Sequence, residues 1–289
     1  MFYYGLISAA VIMFSFQFYV NQKFERIEGN AVKAAATFMF RSSIAGIIIL
    51  LIINKFKYEF APFTLFLSAV TSLCYILYSI CSIKALGKIN LSLFALFTSL
   101  GGMTLPFLAG ILIYKEPLTP GKIICFVCVF IALLITVDKK LDKKGLKYYL
   151  GVFFSNGMVG VLAKVYDASN YHKAGVASYS MTIAAVITLA CGVYLLFSKE
   201  KLPEKSKSQK ALSVLYSSGY GILNNIGNYL MLISISHISA SAQYPMSTGG
   251  MLIVSTILCY FTKDKPKPKE IISVIIAFAG IMFLVLLDK

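Results

Sequence analysis

The chain has 289 residues, 58% hydrophobic and 13% charged, with a formal net charge of +15 and a mean hydropathy of +0.79. A soluble domain of this length cannot hide so much apolar surface, and runs of about 20 nearly uncharged residues recur from end to end, the pattern of membrane-spanning helices. The surplus lysines lie in short loops between these runs, where anionic headgroups and orientation signalling account for them; membrane lipid is therefore an expected partner and nucleic acid is not.

In chain order the apolar runs predict ten spans, at roughly 2–22, 33–53, 62–83, 89–114, 119–137, 146–166, 175–197, 211–235, 239–261 and 269–287. The first begins at Phe2 without a basic segment or a small-residue cleavage site, so it reads as a retained span and not a signal peptide. Turn signals at Pro62, Gly87, Pro117, Pro120, Gly145, Gly175, Pro203, Pro266 and Pro268 separate the runs. The longest polar stretch, Ser198 to Lys210, lacks apolar periodicity and reads as a mobile hydrophilic loop. Cys74, Cys81, Cys125, Cys128 and Cys191 sit well inside spans and Cys259 near the end of one. Cys125-x-x-Cys128 has no second pair and no nearby histidine, so a helical core face is expected there, with no metal and no cofactor.

A stretch in the first half returns in the second. Ser99-Leu-Gly101-Gly102-Met103, an apolar run, then Lys115-Glu116 and Pro120 reappears as Ser247-Thr-Gly249-Gly250-Met251, an apolar run, then Lys263-Asp264 and Pro268. Ungapped over 39 positions, 10 are identical, and the Gly-Gly-Met and Lys-acid…Pro landmarks carry more weight than the matching aliphatics. Phe14-Ser15 against Phe154-Ser155 extends the duplication to the start of each half. The duplicated unit then has five spans, residues 1–140 and 141–289, divided at the Asp138–Lys144 linker. Because five is odd, the second unit starts on the opposite side of the membrane from the first. The expectation is an all-α polytopic membrane protein of ten transmembrane helices in two five-helix inverted-topology repeats, a design that places substrate near the bilayer midplane between the units.

Loops on one side hold 19 lysines and arginines and those on the other hold 7, which alone would place the richer side in the cytoplasm and both termini outside.

Polar side chains inside spans are costly and point to function. Tyr75, Tyr78, Ser79 and Ser82 share one face of the third span, and Gly221, Asn224 and Asn228 one face of the eighth, with Asn225 about 100° round. Offset by 149 residues, Tyr75 meets Asn224 and Ser79 meets Asn228, so the two units carry polar stripes at the same level. Such amides face protein or water, either as interhelical hydrogen-bond partners or as a substrate-lining surface. Gln17, Asn156, Gln243 and Tyr244 lie at comparable depth and carry the same two readings. Arg41 is the one ionised residue well within a predicted span; its guanidinium must snorkel, cap carbonyls or meet an anion. The Gly-Gly pairs suit close helix approach or a kink beside a cavity. All 12 acids fall in loops or at span ends. With no buried carboxylate for proton and cation to compete over, a neutral, zwitterionic or weakly anionic substrate is expected. No phosphate-binding loop, HExxH or Gly-x-Ser-x-Gly occurs, and both histidines lie near loops.

These residues resemble a known family. Ala85-Leu86-Gly87-Lys88-Ile89, a span with a small-residue kink, and Tyr114-Lys115-Glu116-Pro117-Leu118-Thr119-Pro120 are similar to the EamA-like branch of the drug/metabolite transporter superfamily. Ile235-Ser236-His237-Ile238-Ser239-Ala240-Ser241 and the degenerate Lys263-Asp264-Lys265-Pro266 carry the likeness into the second half. Three departures stand out: Tyr114 replaces a small residue, Gly-Gly takes the place of a more usual proline in spans four and nine, and the second turn lacks Leu-Thr. The resemblance implies ten spans in two inverted repeats, secondary transport of small metabolites through a central cavity, and both termini in the cytoplasm, against the lysine count. The expected activity is a metabolite exporter or facilitator of the cell membrane that works by alternating access and is not an enzyme. The alternatives are a flippase for a lipid-linked intermediate and, further off, an integral membrane enzyme.

Overall fold

The computed structural model describes residues 2–29, 31–86, 91–136, 146–200, 202, 204–260 and 268–287. Among them are ten helices and no strand: α1 (Phe2–Glu28), α2 (Val32–Ile53), α3 (Pro62–Leu86), α4 (Leu91–Leu112), α5 (Pro120–Thr136), α6 (Leu146–Ala168), α7 (Val176–Phe197), α8 (Lys207–Ile235), α9 (Ala240–Tyr260) and α10 (Pro268–Leu287). Pro62, Pro120 and Pro268 each open a helix, the position where a missing N–H costs nothing. Five helices are long and apolar enough to cross a membrane: Val32–Ile53, Pro62–Ser82, Lys147–Ala168, Val176–Phe197 and Pro268–Leu287. Shorter apolar stretches cover Phe2–Gln17, Phe97–Leu112 and Pro120–Ile135. The molecule is an integral membrane protein.

Three local expectations change. α1 continues beyond residue 22 to Glu28. The Ser198–Lys210 stretch is helical from Lys207, because Ser206 and Gln209 form a reciprocal capping box at the head of α8. Finally, α4 and α9 each carry a proline, Pro106 and Pro245, as well as the glycine pair. The Gly87 and Gly145 turns, Pro203, the Asp138–Lys144 linker and the second turn Lys263-Asp264-Lys265-Pro266 lie outside the described residues.

Helix packing runs largely across the two halves of the chain. α1 packs on α8 and α3 on α6; α4 packs on α6 and α1 on α9; α2 packs on α8 and α3 on α7. α2 also meets α7, α4 meets α9 and α5 meets α10. The glycines permit this closeness. A Cβ on Gly101 of α4 would stand 2.7 Å from the Phe153 Cα of α6, and one on Gly221 of α8 would stand 2.7 Å from the Ser42 Cα of α2.

The largest buried apolar cluster joins Ile7, Val11 and Phe14 of α1 to Met103, Val129, Met231, Ala277 and Leu284. Along α3, Phe66, Leu73, Leu77 and Ile80 form an exposed apolar stripe, as befits a lipid-facing surface, while Ser68, Thr71, Ser72 and Ser82 are buried on the other side.

Two ends of the bundle are distinguished by cross-half polar contacts. At the proximal end, where α1 begins, Tyr3 stacks on His237 at 3.8 Å between centroids and bonds its Nε2 at 2.8 Å. At the same end the Glu59 carboxylate accepts from the Gly175 N–H at 2.7 Å, capping α7. At the distal end, where α1 finishes, the Glu200 carboxylate accepts from the Lys33 N–H at 2.9 Å in the first turn of α2.

Candidate functional site

The side chains that meet at mid-depth come from both halves. On α8, Tyr220, Asn224 and Asn228 recur every fourth residue, opposite the exposed Leu215 and Ile222. The Asn224 amide donates to Gln17 Oε1 of α1 at 2.9 Å. The Asn228 amide donates to the Asn224 carbonyl at 2.8 Å and to its Oδ1 at 3.1 Å. This makes a short ladder of amides up the α1–α8 seam. Gln17 is buried, whereas Asn224 and Asn228 are only half-buried although their face of α8 points away from the lipid stripe. Polar groups that keep accessible surface on an inward face remain open to water or to a polar partner.

Phenols gather on the neighbouring helices. Tyr75 sits at mid-length of α3, within electrostatic reach of Tyr78, Tyr179 of α7, Tyr220 and Tyr244 of α9. Tyr75, Tyr78, Tyr220 and Tyr244 are each half-buried. Toward the proximal end the wall closes. Tyr166 and Tyr179 stack at 4.0 Å with an interplanar angle of 9°, and Tyr179 Oη pairs with Thr71 Oγ1 at 2.8 Å.

Tyr244 Oη donates to the Gly160 carbonyl at 3.1 Å, and a Cβ on Gly160 would meet the Tyr244 ring at 2.9 Å and collide with Pro106. The α4 and α9 prolines therefore sit in the proximal part of the bundle: Pro106 against α6, Pro245 directly after the tyrosine that bonds α6.

The other expected site residues have different neighbours. Asn225 turns toward α2, where a Cβ on Gly46 would lie 2.5 Å from its Cγ, and donates to the Gly221 carbonyl at 2.9 Å. Asn156 donates to the Thr98 carbonyl of α4 at 2.8 Å, beside Gly102. Gln243 is 0% exposed; its Nε2 donates to the Met231 carbonyl at 2.8 Å, and its Oε1 has no partner among the described residues. Arg41 Nη1 donates to Ser213 Oγ at 3.0 Å and lies 3.8 Å from Glu28, in a distal ion cluster.

Of the ten candidates, then, Gln17, Asn224 and Asn228 form one bonded group, Tyr75, Tyr78 and Tyr244 belong to a set of tyrosines that includes Tyr220, one turn from Asn224, and Asn156, Asn225, Gln243 and Arg41 are engaged elsewhere. Tyr220 and Tyr179 were not among the expected residues. Tyr220 was legible, since it lies one turn before Asn224 on the same face.

The bundle ends hold two carboxylates that lie at span ends as expected but, against the expectation of no buried carboxylate, are withdrawn from solvent. Glu28 is 1% exposed; it pairs with Lys205 and accepts from Ser213 Oγ at 2.5 Å. Glu116, in the α4–α5 turn, accepts from the Ala240 and Ser241 N–H groups at 3.0 Å each and from Ser241 Oγ at 2.8 Å, and pairs with Lys164 at 3.0 Å. It thus caps the N-terminus of α9. Burial pushes the Glu116 carboxyl up, but the Ser241, Lys164 and Ala240 donors outweigh it and hold the group below its ordinary value. Each acid is matched by cations from the other half. Such a pair at the rim joins the halves.

Among solved structures, one crystal structure superposes with a TM-score of 0.76 at 15% identity, covering 98% of this chain and 96% of that one, a likeness of fold. No curated protein matches the sequence. Residues 143–286, the second half with α6 to α10, match the model of the EamA-like transporter family. The chain belongs to the EamA-like transporter family, within the drug/metabolite transporter superfamily.

Proposed function

We propose that this protein is a secondary transporter, an exporter or facilitator of the cell membrane, that moves a small neutral, zwitterionic or weakly anionic metabolite by alternating access. The observation that carries the reading is the inward-facing lining of amides and phenols at mid-depth, Gln17, Asn224, Asn228, Tyr75 and Tyr78, drawn from both halves and carrying no ionised side chain. Uncharged donors and acceptors of this kind hold a polar solute without trapping it, and release matters as much as capture in a carrier.

The two halves, 1–140 and 141–289, would rock as inverted units. The packing supports this, because exchanging α1–α5 for α6–α10 turns the most extensive cross-half pairings into others that are present: α1 on α8 into α6 on α3, α4 on α6 into α9 on α1, and α2 on α8 into α7 on α3. The caps obey the same exchange, Glu59 on the start of α7 and Glu200 on the start of α2. Opening one end would break the caps and ion pairs there and leave those at the other end intact.

The test is counterflow in proteoliposomes preloaded with unlabelled amino acids, nucleosides or small organic acids. Labelled solute should accumulate only where the same unlabelled solute is inside. Folded protein that exchanges none of these but scrambles labelled phospholipid would replace this reading with the flippase.

A further inference from the structure

The α2–α3 loop reads Lys55-Phe56-Lys57-Tyr58-Glu59-Phe60, cations alternating with aromatic rings. Phe56 is 76% exposed, Tyr58 51% and Phe60 63%. The chain has no tryptophan, so the interfacial role of that residue falls to rings of this kind. Lys55 and Phe56 have φ of 54° and 57°, two successive left-handed residues with side chains. Such a conformation is strained and persists only where its surroundings enforce it. Here the Phe56 N–H bonds the Leu51 carbonyl at 2.7 Å and the Asn54 amide bonds the Lys57 carbonyl at 2.6 Å. The loop is also tied to the second half: Tyr58 Oη pairs with Thr182 Oγ1 at 3.0 Å, and Glu59 is occupied at the start of α7.

Directly beside Tyr58, between α2, α3 and α7, lies an apolar groove of about 300 Å³, walled by Ile47, Leu51, Leu65, Met181, Ala185 and Leu189. Leu65 and Leu189 are exposed on its rim, continuous with the lipid-facing surface. No charged side chain lines it, and its one polar edge is the Tyr58–Thr182 pair.

We propose that this groove binds one acyl chain of an anionic phospholipid whose headgroup phosphate is met by Lys55 and Lys57. The aliphatic wall suits a hydrocarbon chain. The tyrosine at its polar edge marks the level where tail gives way to headgroup, and the strained turn carries two cations to that level. Since α2 and α3 belong to one half and α7 to the other, the lipid spans the seam. It binds outside the amide-lined hollow and does not depend on the transport reading.

The test uses the purified full-length protein in nanodiscs of phosphatidylcholine with or without phosphatidylglycerol, read by native mass spectrometry and by melting. The wild type should retain one phosphatidylglycerol in about 25-fold preference to phosphatidylcholine, each lysine contributing about fivefold, and melt higher in its presence. Lys55→Gln with Lys57→Gln should erase the preference, and Ala185→Phe should erase the retained lipid of either kind, both variants melting like wild type in phosphatidylcholine alone. Retention that ignores headgroup charge, or that survives both variants, overturns the proposal. Should Ala185→Phe fail to fold, the lysine variant alone decides.

Discussion

Gly221→Leu should leave no monodisperse protein to purify. At that point α8 lies so close to α2 that a Cβ would collide with the Ser42 carbonyl and stand 2.7 Å from its Cα, and backbone cannot step aside as a side chain can. Overpacking typically costs about 1–3 kcal/mol, and more where the obstacle is rigid. Prising the helices apart would also strip Asn225 from its place against Gly46 and pull Tyr220 from Phe38, whose ring centroid is 4.6 Å away. Two residues earlier, Gly219 has nothing within 4 Å, so Gly219→Leu should express and migrate like the wild type. Size-exclusion of fluorescent fusions reads both. A normal Gly221→Leu peak would mean that α2 and α8 do not approach as described.

The second large effect is functional. Asn224→Leu should reduce solute exchange by roughly 100-fold while leaving membrane yield near normal, the reduction expected for two lost hydrogen bonds of about 1.5 kcal/mol each. Asn224 is the middle rung of the ladder: it donates to Gln17 and accepts from Asn228, so its loss removes the shared geometry and leaves a half-buried wall that water can still wet. The neighbouring Asn225→Ala is the contrast. That amide faces α2 and its own helix, and its removal should lower the melting temperature without a comparable loss of exchange. Matched effects at the two positions, measured as counterflow rates per folded protein, would show that neither amide is closer to the solute.

What could be read without coordinates divides along a physical line. Spans were legible because apolar runs stop at prolines and lysines; Pro62, Pro120 and Pro268 begin helices where the pattern puts them. The facing of a stripe was legible too, since Tyr75 with Tyr78 and Asn224 with Asn228 share a helical period. Partners were not. Gln17 and Asn224 are 207 residues apart, and nothing local in either helix names the other. The same holds for Arg41, whose Glu28 and Lys205 neighbours come from a helix end and a loop of opposite halves. The α8 start was missed because lysines at Lys205, Lys207 and Lys210 obscured the Ser206…Gln209 cap. The Gly-Gly pairs drew attention from Pro106 and Pro245, which sit five residues beyond Gly101 in α4 and five before Gly250 in α9. Gly101 packs on α6 and Gly250 on Val11 of α1, so the pairs are points of helix contact, with prolines nearby to bend the same helices.

The hollow between the halves is tested most directly by single cysteines labelled in native membranes with a water-soluble maleimide, in a background whose own cysteines are replaced. On the proposed reading Asn228→Cys and Tyr75→Cys, half-buried on inward faces, should react, and the exposed apolar positions Ile222→Cys and Leu73→Cys should stay silent in lipid. Silence at Asn228 and Tyr75 together with labelling at Ile222 and Leu73 would turn the helices inside out and contradict the account.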